Sequence, residues 1–356
     1  MMIGHEVRSP CEGELGDSRP EKKRISPAGP ATTSRRRPVV VRSLVFGAAW
    51  LLLAPASQMA YGQSVSAAKL PAPAEPIHGS LVICGGAALP PEVIQRFIAL
   101  ADGPNARLVV IPTASGVAEI PDELEPRIAI WRQQQVQELT FLHTRSPDIA
   151  NEAEFCAPLA RATGVWFIGG VQSRITDAYL GTQAEQEFHG VLRRGGVIGG
   201  TSAGAAVMTQ VMIRRGIPGG ADLGRGFGFF PNAVIDQHFL KRNRTPRLMS
   251  VLLDHPGHFG LGIDEETAVV VQDNMLSVIG NSQAVVCHPA TAGHSEETVF
   301  LKSGDEADFV SISDRAVARA KTSAIQVADK SNTTSSPTEA RPEVPSESTT
   351  SASAMK

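Results

Sequence analysis

The sequence predicts an α/β fold over residues 77–315, with a largely parallel central sheet flanked by helices and shorter antiparallel strands in its C-terminal part. Three observations carry this reading. Short apolar runs alternate with amphipathic stretches, the order of strands and helices that builds parallel sheets. Several apolar runs stop abruptly at glycine or another turn residue. After His238 the runs crowd together, near 259–263, 268–271, 276–279 and 284–287, closely enough for antiparallel hairpins.

Taken in order, strands are expected at 80–84, 107–112, 137–142, 165–168 and 196–198, and helices at about 91–101, 123–135, 173–179 and 185–194. The strands end in Cys84-Gly85-Gly86, Pro112-Thr113-Ala114-Ser115-Gly116, Ile168-Gly169-Gly170 and Gly199-Gly200-Thr201-Ser202-Ala203-Gly204. Ligands of open α/β sheets gather outside the carboxyl ends of the strands, so these loops should share one rim, and that rim is the candidate site.

The ends of the chain read differently. Residues 1–43 are polar, rich in Pro and Arg, and are followed by an apolar run at 44–54 with small residues at Ala60 and Gly62. That run is too short to cross about 30 Å of hydrocarbon and fits a signal peptide cut after Gly62 or Ala67, so residues 1–67 are expected to be a leader. Export, to the periplasm or medium, follows, with no membrane span left after processing. Residues 316–356 are mostly Ser, Thr, Pro, Ala and Glu, with almost no large apolar side chains. Such a composition points to a disordered tail.

With 42% apolar and 19% charged residues the chain can bury a sizeable core. Its net charge is −3; the leader to Gly62 holds nine Lys or Arg against five Asp or Glu, leaving about −7 for the remainder. Without a long basic stripe beyond the leader, a nucleic-acid partner has no support. Four scattered cysteines, Cys11, Cys84, Cys156 and Cys287, fit neither a disulfide framework nor a CxxC metal site.

Gly200-Thr201-Ser202-Ala203-Gly204 matches the G-x-S-x-G elbow, with the apolar Val197-Ile198 before it and the helix-compatible Ala205-Ala206-Val207-Met208 after it. A seryl nucleophile needs a base within about 3 Å and a group to orient that base. His238, at the end of Val234-Ile235-Asp236-Gln237, is the candidate base, although a histidine beside apolar residues is also a common core side chain. Gly262-Ile263-Asp264-Glu265-Glu266-Thr267 places three acids at the end of an apolar run, Glu265 at their centre; solvated turn acids are the plain alternative. Backbone N–H groups of Ala203 and Gly170 are the candidate oxyanion hole.

Phe167-Ile168-Gly169-Gly170 with Gln172, the Ser202 elbow, Asp236-Gln237-His238-Phe239 with Arg242, Arg244 and Arg247, and Gly262-Ile263-Asp264-Glu265 with Thr267-Ala268 occur in the order and spacing of the cyanophycinases. The chain resembles that family, a serine-peptidase branch that also contains aspartyl dipeptidases, over about residues 79–289. The resemblance implies Ser202 as nucleophile, His238 as base and Glu265 as its partner. It also implies a substrate pocket lined by Gln172, Asp236, Gln237, Arg242, Arg244 and Arg247, with no metal or organic cofactor and with a homodimeric assembly. Its substrate would be cyanophycin, a polyaspartate with arginine on each β-carboxyl, or a β-aspartyl peptide. The family usually carries an acid after the diglycine, where this chain has Val171.

Three rivals remain open at this stage. An α/β-hydrolase esterase would order its triad Ser202, Asp264, His288. An aspartyl dipeptidase would leave the arginine cluster without a role. An inert exported peptide-binding protein would have no activated serine.

Overall fold

The computed structural model describes residues 70–333, with side chains to residue 326. The leader expected over 1–67, and the tail beyond residue 333, lie outside the described residues. Five strands, β1 (Ile77–Cys84), β2 (Arg107–Ile111), β3 (Glu138–Phe141), β4 (Gly164–Phe167) and β5 (Val197–Thr201), fall within three residues of the apolar runs and pair in parallel in the order β1-β5-β4-β2-β3. Between them lie α1 (Pro91–Leu100), α2 (Pro121–Arg132), α3 (Ala153–Arg161), α4 (Gln172–Tyr179) and α5 (Gln183–Arg193), and β5 leads into the single turn α6 (Ala203–Ala206).

The two-residue period of a strand divides the core. Leu81 and Ile83 of β1 join one apolar cluster, with Phe167 and Phe188, while Val82 and Cys84 join another against α1. Trp166 of β4 anchors that second cluster, its ring 4.9 Å from Phe97 and 5.0 Å from Trp131. In α5 the buried residues Ala184, Phe188, Val191 and Leu192 repeat at helical spacing, which is why its amphipathic pattern was legible. α3 buries only Cys156 and Leu159, too few for a periodic signal.

The second half holds β6 (Val211–Ile217) and β7 (Gly220–Arg225), an antiparallel pair, then β8 (Ala233–Gln237), α7 (Thr245–Asp254) and β9 (Phe259–Ile263). β10 (Thr267–Asp273), β11 (Met275–Gly280), β12 (Gln283–His288), β13 (Glu297–Lys302), β14 (Glu306–Asp308) and α8 (Phe309–Thr333) follow. β10 and β11 form the expected hairpin. β9 and β10 do not, because the acidic turn between them crosses from one sheet to another. β10 pairs antiparallel with β1 and widens the main sheet to eight strands, ordered β14-β11-β10-β1-β5-β4-β2-β3. β9 stays in a four-stranded sheet, β13-β12-β9-β8, lying parallel to β8 and antiparallel to β12. Only Met212 and Ile213 of the β6–β7 ribbon are buried, and they are adjacent in the chain, so no in-out alternation announced it.

The start expected for the disordered tail, residue 316, is corrected. α8 runs through that point, and Phe309, Ser313, Ala316, Val317 and Ala320 are buried. Their spacing of three and four makes a helical stripe of mostly small side chains, which a count of large apolar residues overlooks. Arg319 in the same helix donates to the carbonyl of Pro289 at 2.9 Å and to that of Ser295. Among the described residues no helix is long and apolar enough to cross a membrane.

Phe309 docks α8, fully buried with its ring 5.3 Å from that of Phe230. Phe309→Ala is expected to cost about 3–5 kcal/mol in urea unfolding, the usual penalty of emptying a buried aromatic site. A loss within experimental error would show that α8 is not part of the folded unit.

Candidate active site

The rim at the carboxyl end of β1 aligns three segments. Successive carbonyls of Cys84, Gly85 and Gly86 accept the N–H groups of Ser202 at 3.0 Å, His238 at 2.9 Å and Glu266 at 2.9 Å. Gly85 N–H in turn donates to Thr267 O at 2.9 Å. One short stretch of backbone therefore sets the height of the serine elbow, the end of β8 and the turn after β9.

Ser202 sits between β5 and α6 with φ 52° and ψ −104°, a backbone rarely held by a residue with a side chain. Such strain costs on the order of 1–3 kcal/mol and persists only where the surroundings enforce it. Here the carbonyl of Ser202 accepts from Ala205 N–H and Ala206 N–H, each at 3.0 Å, and the hydroxyl is left facing His238.

His238 also has a positive φ, 51°. Its Nε2 lies 2.9 Å from Ser202 Oγ and its Nδ1 lies 2.7 Å from Glu265 Oε1. A carboxylate can only accept, so Nδ1 carries the proton and Nε2 is free to accept from the hydroxyl. Burial pushes the imidazole below its ordinary value, and Arg242 and Arg244 push the same way, against the hydrogen bond donated to Glu265. Gly86 makes room for the ring: with φ at 129°, any Cβ there would stand 2.2 Å from His238 Cε1.

The diglycine lies across the elbow, a Cβ at Gly169 falling 3.5 Å from Ser202 Cβ. Gly170 has φ 149° and packs so tightly that a Cβ would stand 2.1 Å from Ala114 O. Among the described residues neither Gly170 N–H nor Ala203 N–H meets an acceptor, which leaves both free for an oxyanion.

A cavity of about 210 Å³ opens at Ser202 and His238 and is lined by Gly170, Gln172, Gln237, Arg242, Arg244 and Arg247, together with Arg214, Arg215 and Gly216 of β6. Of the six expected pocket residues, two keep unpaired polar groups. Arg242 has no carboxylate partner among the described residues, and Gln237 Oε1 is buried without a hydrogen bond. Gln172, by contrast, spends its amide on the carbonyls of Ile213 and Arg214, both at 2.7 Å, and so pins β6 over the site.

Asp236 corrects an expectation. It is fully buried and faces protein, not cavity. Its carboxylate takes Arg247 Nε at 2.8 Å and Arg244 Nη1 at 3.3 Å, with a further close contact from Arg247 Nη2. Burial pushes this carboxyl up while the Arg247 and Arg244 guanidiniums pull it down. An aspartate held by two arginines is not available to a substrate cation.

The rival triad is not assembled. Asp264 accepts from Lys241 N–H at 2.9 Å and Ser282 Oγ at 2.8 Å. His288 is buried in the wall of a different cavity, of about 520 Å³, between α7 and α8, where burial pushes its imidazole down to about 4. Among the described residues no three His, Cys, Asp or Glu side chains gather as metal ligands. Gly86, Arg214 and Arg215 were not singled out from the sequence. The glycine pair after β1 was the visible trace of the first, and the Pro218-Gly219-Gly220 turn of the ribbon was the trace of the others.

The profile of peptidase family S51 matches residues 81–279. A cyanophycinase from Geminocystis herdmanii is 32% identical over 221 residues, covering 59% of this chain and 80% of that protein. One from Trichormus variabilis is 32% identical over 215 residues, covering 58% and 71%. The crystal structure of a peptidase from an acI-B1 Actinobacterium superposes with a TM-score of 0.50 at 25% identity, covering 65% of this chain and 98% of that one.

The labelling of Ser202 by a fluorophosphonate should rise with pH as His238 loses its proton, reaching half its plateau below the ordinary imidazole value of 6.5. Arg242→Ala removes a cation that disfavours the imidazolium, so protonation becomes easier and the midpoint should move to higher pH. A midpoint above 6.5 in the native protein would contradict the burial argument.

Proposed function

Because the chain belongs to peptidase family S51 and is a serine-type peptidase, we propose that it hydrolyses cyanophycin to β-aspartyl-arginine dipeptides through an acyl-enzyme on Ser202. The observation that carries this is an arginine-rich cavity opening directly onto the Ser202–His238–Glu265 chain of contacts. The cyanophycinase relatives agree with it.

On this reading Ser202 Oγ attacks a backbone carbonyl carbon of the polymer while His238 Nε2 takes the hydroxyl proton. Glu265 holds Nδ1–H and stabilises the imidazolium as it forms, and the Gly170 and Ala203 amides receive the developing oxyanion. The imidazolium returns its proton to the leaving amide nitrogen as the C–N bond breaks. A water molecule, deprotonated by His238 Nε2, then attacks the ester carbonyl; the C–O bond to Ser202 breaks as the imidazolium returns its proton to Oγ.

Each unit of cyanophycin presents a free α-carboxylate and a guanidinium. Arg242, free of protein carboxylates, is the group that meets an α-carboxylate, because a guanidinium fork matches that geometry. Arg244 and Arg247 add positive potential but are already engaged with Asp236. For the substrate guanidinium the buried, unpartnered Gln237 Oε1 is the acceptor on offer. The leader pattern supports export, so that the polymer reached is one released from other cells.

Purified protein incubated with cyanophycin should release β-Asp-Arg, identified by mass. Ser202→Ala should reduce this by at least about a thousandfold with little change in Tm. Arg242→Met should raise KM for the polymer while leaving stability unchanged, whereas Arg247→Met exposes a buried aspartate to loss of its main partner and should cost roughly 3–5 kcal/mol of stability. Intact cyanophycin after prolonged incubation, with Ser202 still reactive towards a fluorophosphonate, would refute the substrate while sparing the peptidase.

A further inference from the structure

Arg145 lies outside the catalytic cavity, on the loop after β3, yet three of its guanidinium nitrogens are engaged by the loop that supports the diglycine. Nη1 donates to Thr113 O and Nη2 donates to Ser115 O at 2.8 Å, so the side chain bridges the carbonyls on either side of Ala114. Nε meets Glu119 Oε1 at 2.6 Å, at the far end of the same loop. Ala114, held between these two anchors, is the residue on which the diglycine rests. Its carbonyl accepts Val171 N–H at 2.9 Å and Arg174 Nη1 at 3.3 Å, and it is the atom that a Cβ on Gly170 would strike.

A second chain of contacts closes the frame from the other side. Glu119 Oε1 meets His143 Nε2 at 3.0 Å, His143 Nδ1 meets Thr113 Oγ1 at 2.9 Å, and Thr113 Oγ1 meets Tyr179 OH at 2.7 Å. Tyr179 closes α4, the helix that begins at Gln172 just after the diglycine. Thr113 and Tyr179 are fully buried, whereas Glu119 and Arg145 reach the surface, their side chains 51% and 35% exposed. Two guanidinium hydrogen bonds to backbone carbonyls are a costly arrangement for a residue serving only as a surface ion pair, because such pairs contribute about 0–1 kcal/mol. Their consequence is geometric: they fix the height of Ala114, and through it the direction of the Gly170 amide.

We propose that Arg145, clamped by Glu119, is a positioning residue for peptide-bond hydrolysis, holding the loop from Thr113 to Ser115 so that Gly170 N–H stays aimed at the oxyanion formed on the substrate of Ser202. The inference rests on the reading of Ser202 as nucleophile and of Gly170 as oxyanion donor, but not on the identity of the polymer. An oxyanion donor acts only when aligned with the charge that develops, so a displacement of a few tenths of an ångström lowers the rate of acylation without altering the initial encounter.

The test is the concentration dependence of Ser202 labelling by a fluorophosphonate, whose phosphoryl oxygen occupies the oxyanion position. It separates the limiting rate from the apparent binding constant and needs no natural substrate. Arg145→Met should lower the limiting rate by about tenfold to a hundredfold, less than outright removal of a donor, with the binding constant within about twofold. Arg145→Lys, which keeps one bridge to a carbonyl, should recover part of the rate. Glu119→Gln, which loosens the clamp and leaves the arginine in place, should lower it in the same direction by a smaller factor; it serves as the readout should Arg145→Met fail to fold. An unchanged limiting rate in Glu119→Gln and in a folded Arg145→Met would overturn the inference and reduce the pair to loop support. Absence of labelling in the native protein would overturn the Ser202 reading and this inference with it.

Discussion

Three successive carbonyls at the end of β1 accept the amides of Ser202, His238 and Glu266, and the rest of the site follows from that strip of backbone. Ser202 ends a strand of the main sheet, while His238 and Glu265 follow the parallel pair β8 and β9 of the smaller one. Side chains on separate sheets have no reason to meet within hydrogen-bond distance unless a common reference aligns them. Cys84-Gly85-Gly86 is that reference, and the positive φ angles of Ser202 and His238 are the strain accepted to use it. The 2.9 Å contact from Ser202 Oγ to His238 Nε2 and the 2.7 Å contact from His238 Nδ1 to Glu265 Oε1 are the result.

Charge is arranged with the same economy. The buried Asp236 takes up Arg244 and Arg247, so part of the positive potential beside Ser202 is anchored in the fold and part, on Arg242, is left for a ligand. Burial and the cations act together on His238 and push its imidazole below the ordinary value, favouring the neutral form that can accept a proton. The guanidinium that leaves the cavity positive therefore also disfavours the imidazolium of His238, so cavity charge and base are coupled through electrostatics.

The β1 to β5 core was legible because most of its strands are short apolar runs closed by turn residues, a signal confined to a few neighbouring positions. The serine elbow was legible for the same reason, with strand, turn and helix adjacent in the chain. Gly86 was not, since its purpose is the ring of His238, 152 positions further on. Nor was the burial of Asp236, because an acid beside three arginines reads equally well as part of an open pocket. The division of β9 from β10 depends on tertiary pairing with β1 that hairpin spacing does not encode. Beyond Phe309, α8 escaped notice because it packs through Ser313, Ala316, Val317 and Ala320 rather than large side chains.

The central claim is that Ser202, activated by His238, carries the acyl group during turnover. Mixing enzyme with cyanophycin, quenching with acid within one turnover, and digesting for mass spectrometry tests this directly. The account predicts an ester-linked adduct on the peptide containing Ser202, one that accumulates and decays within the catalytic cycle. Full cleavage activity persisting in Ser202→Ala, or an acyl adduct found only on another residue, would contradict it.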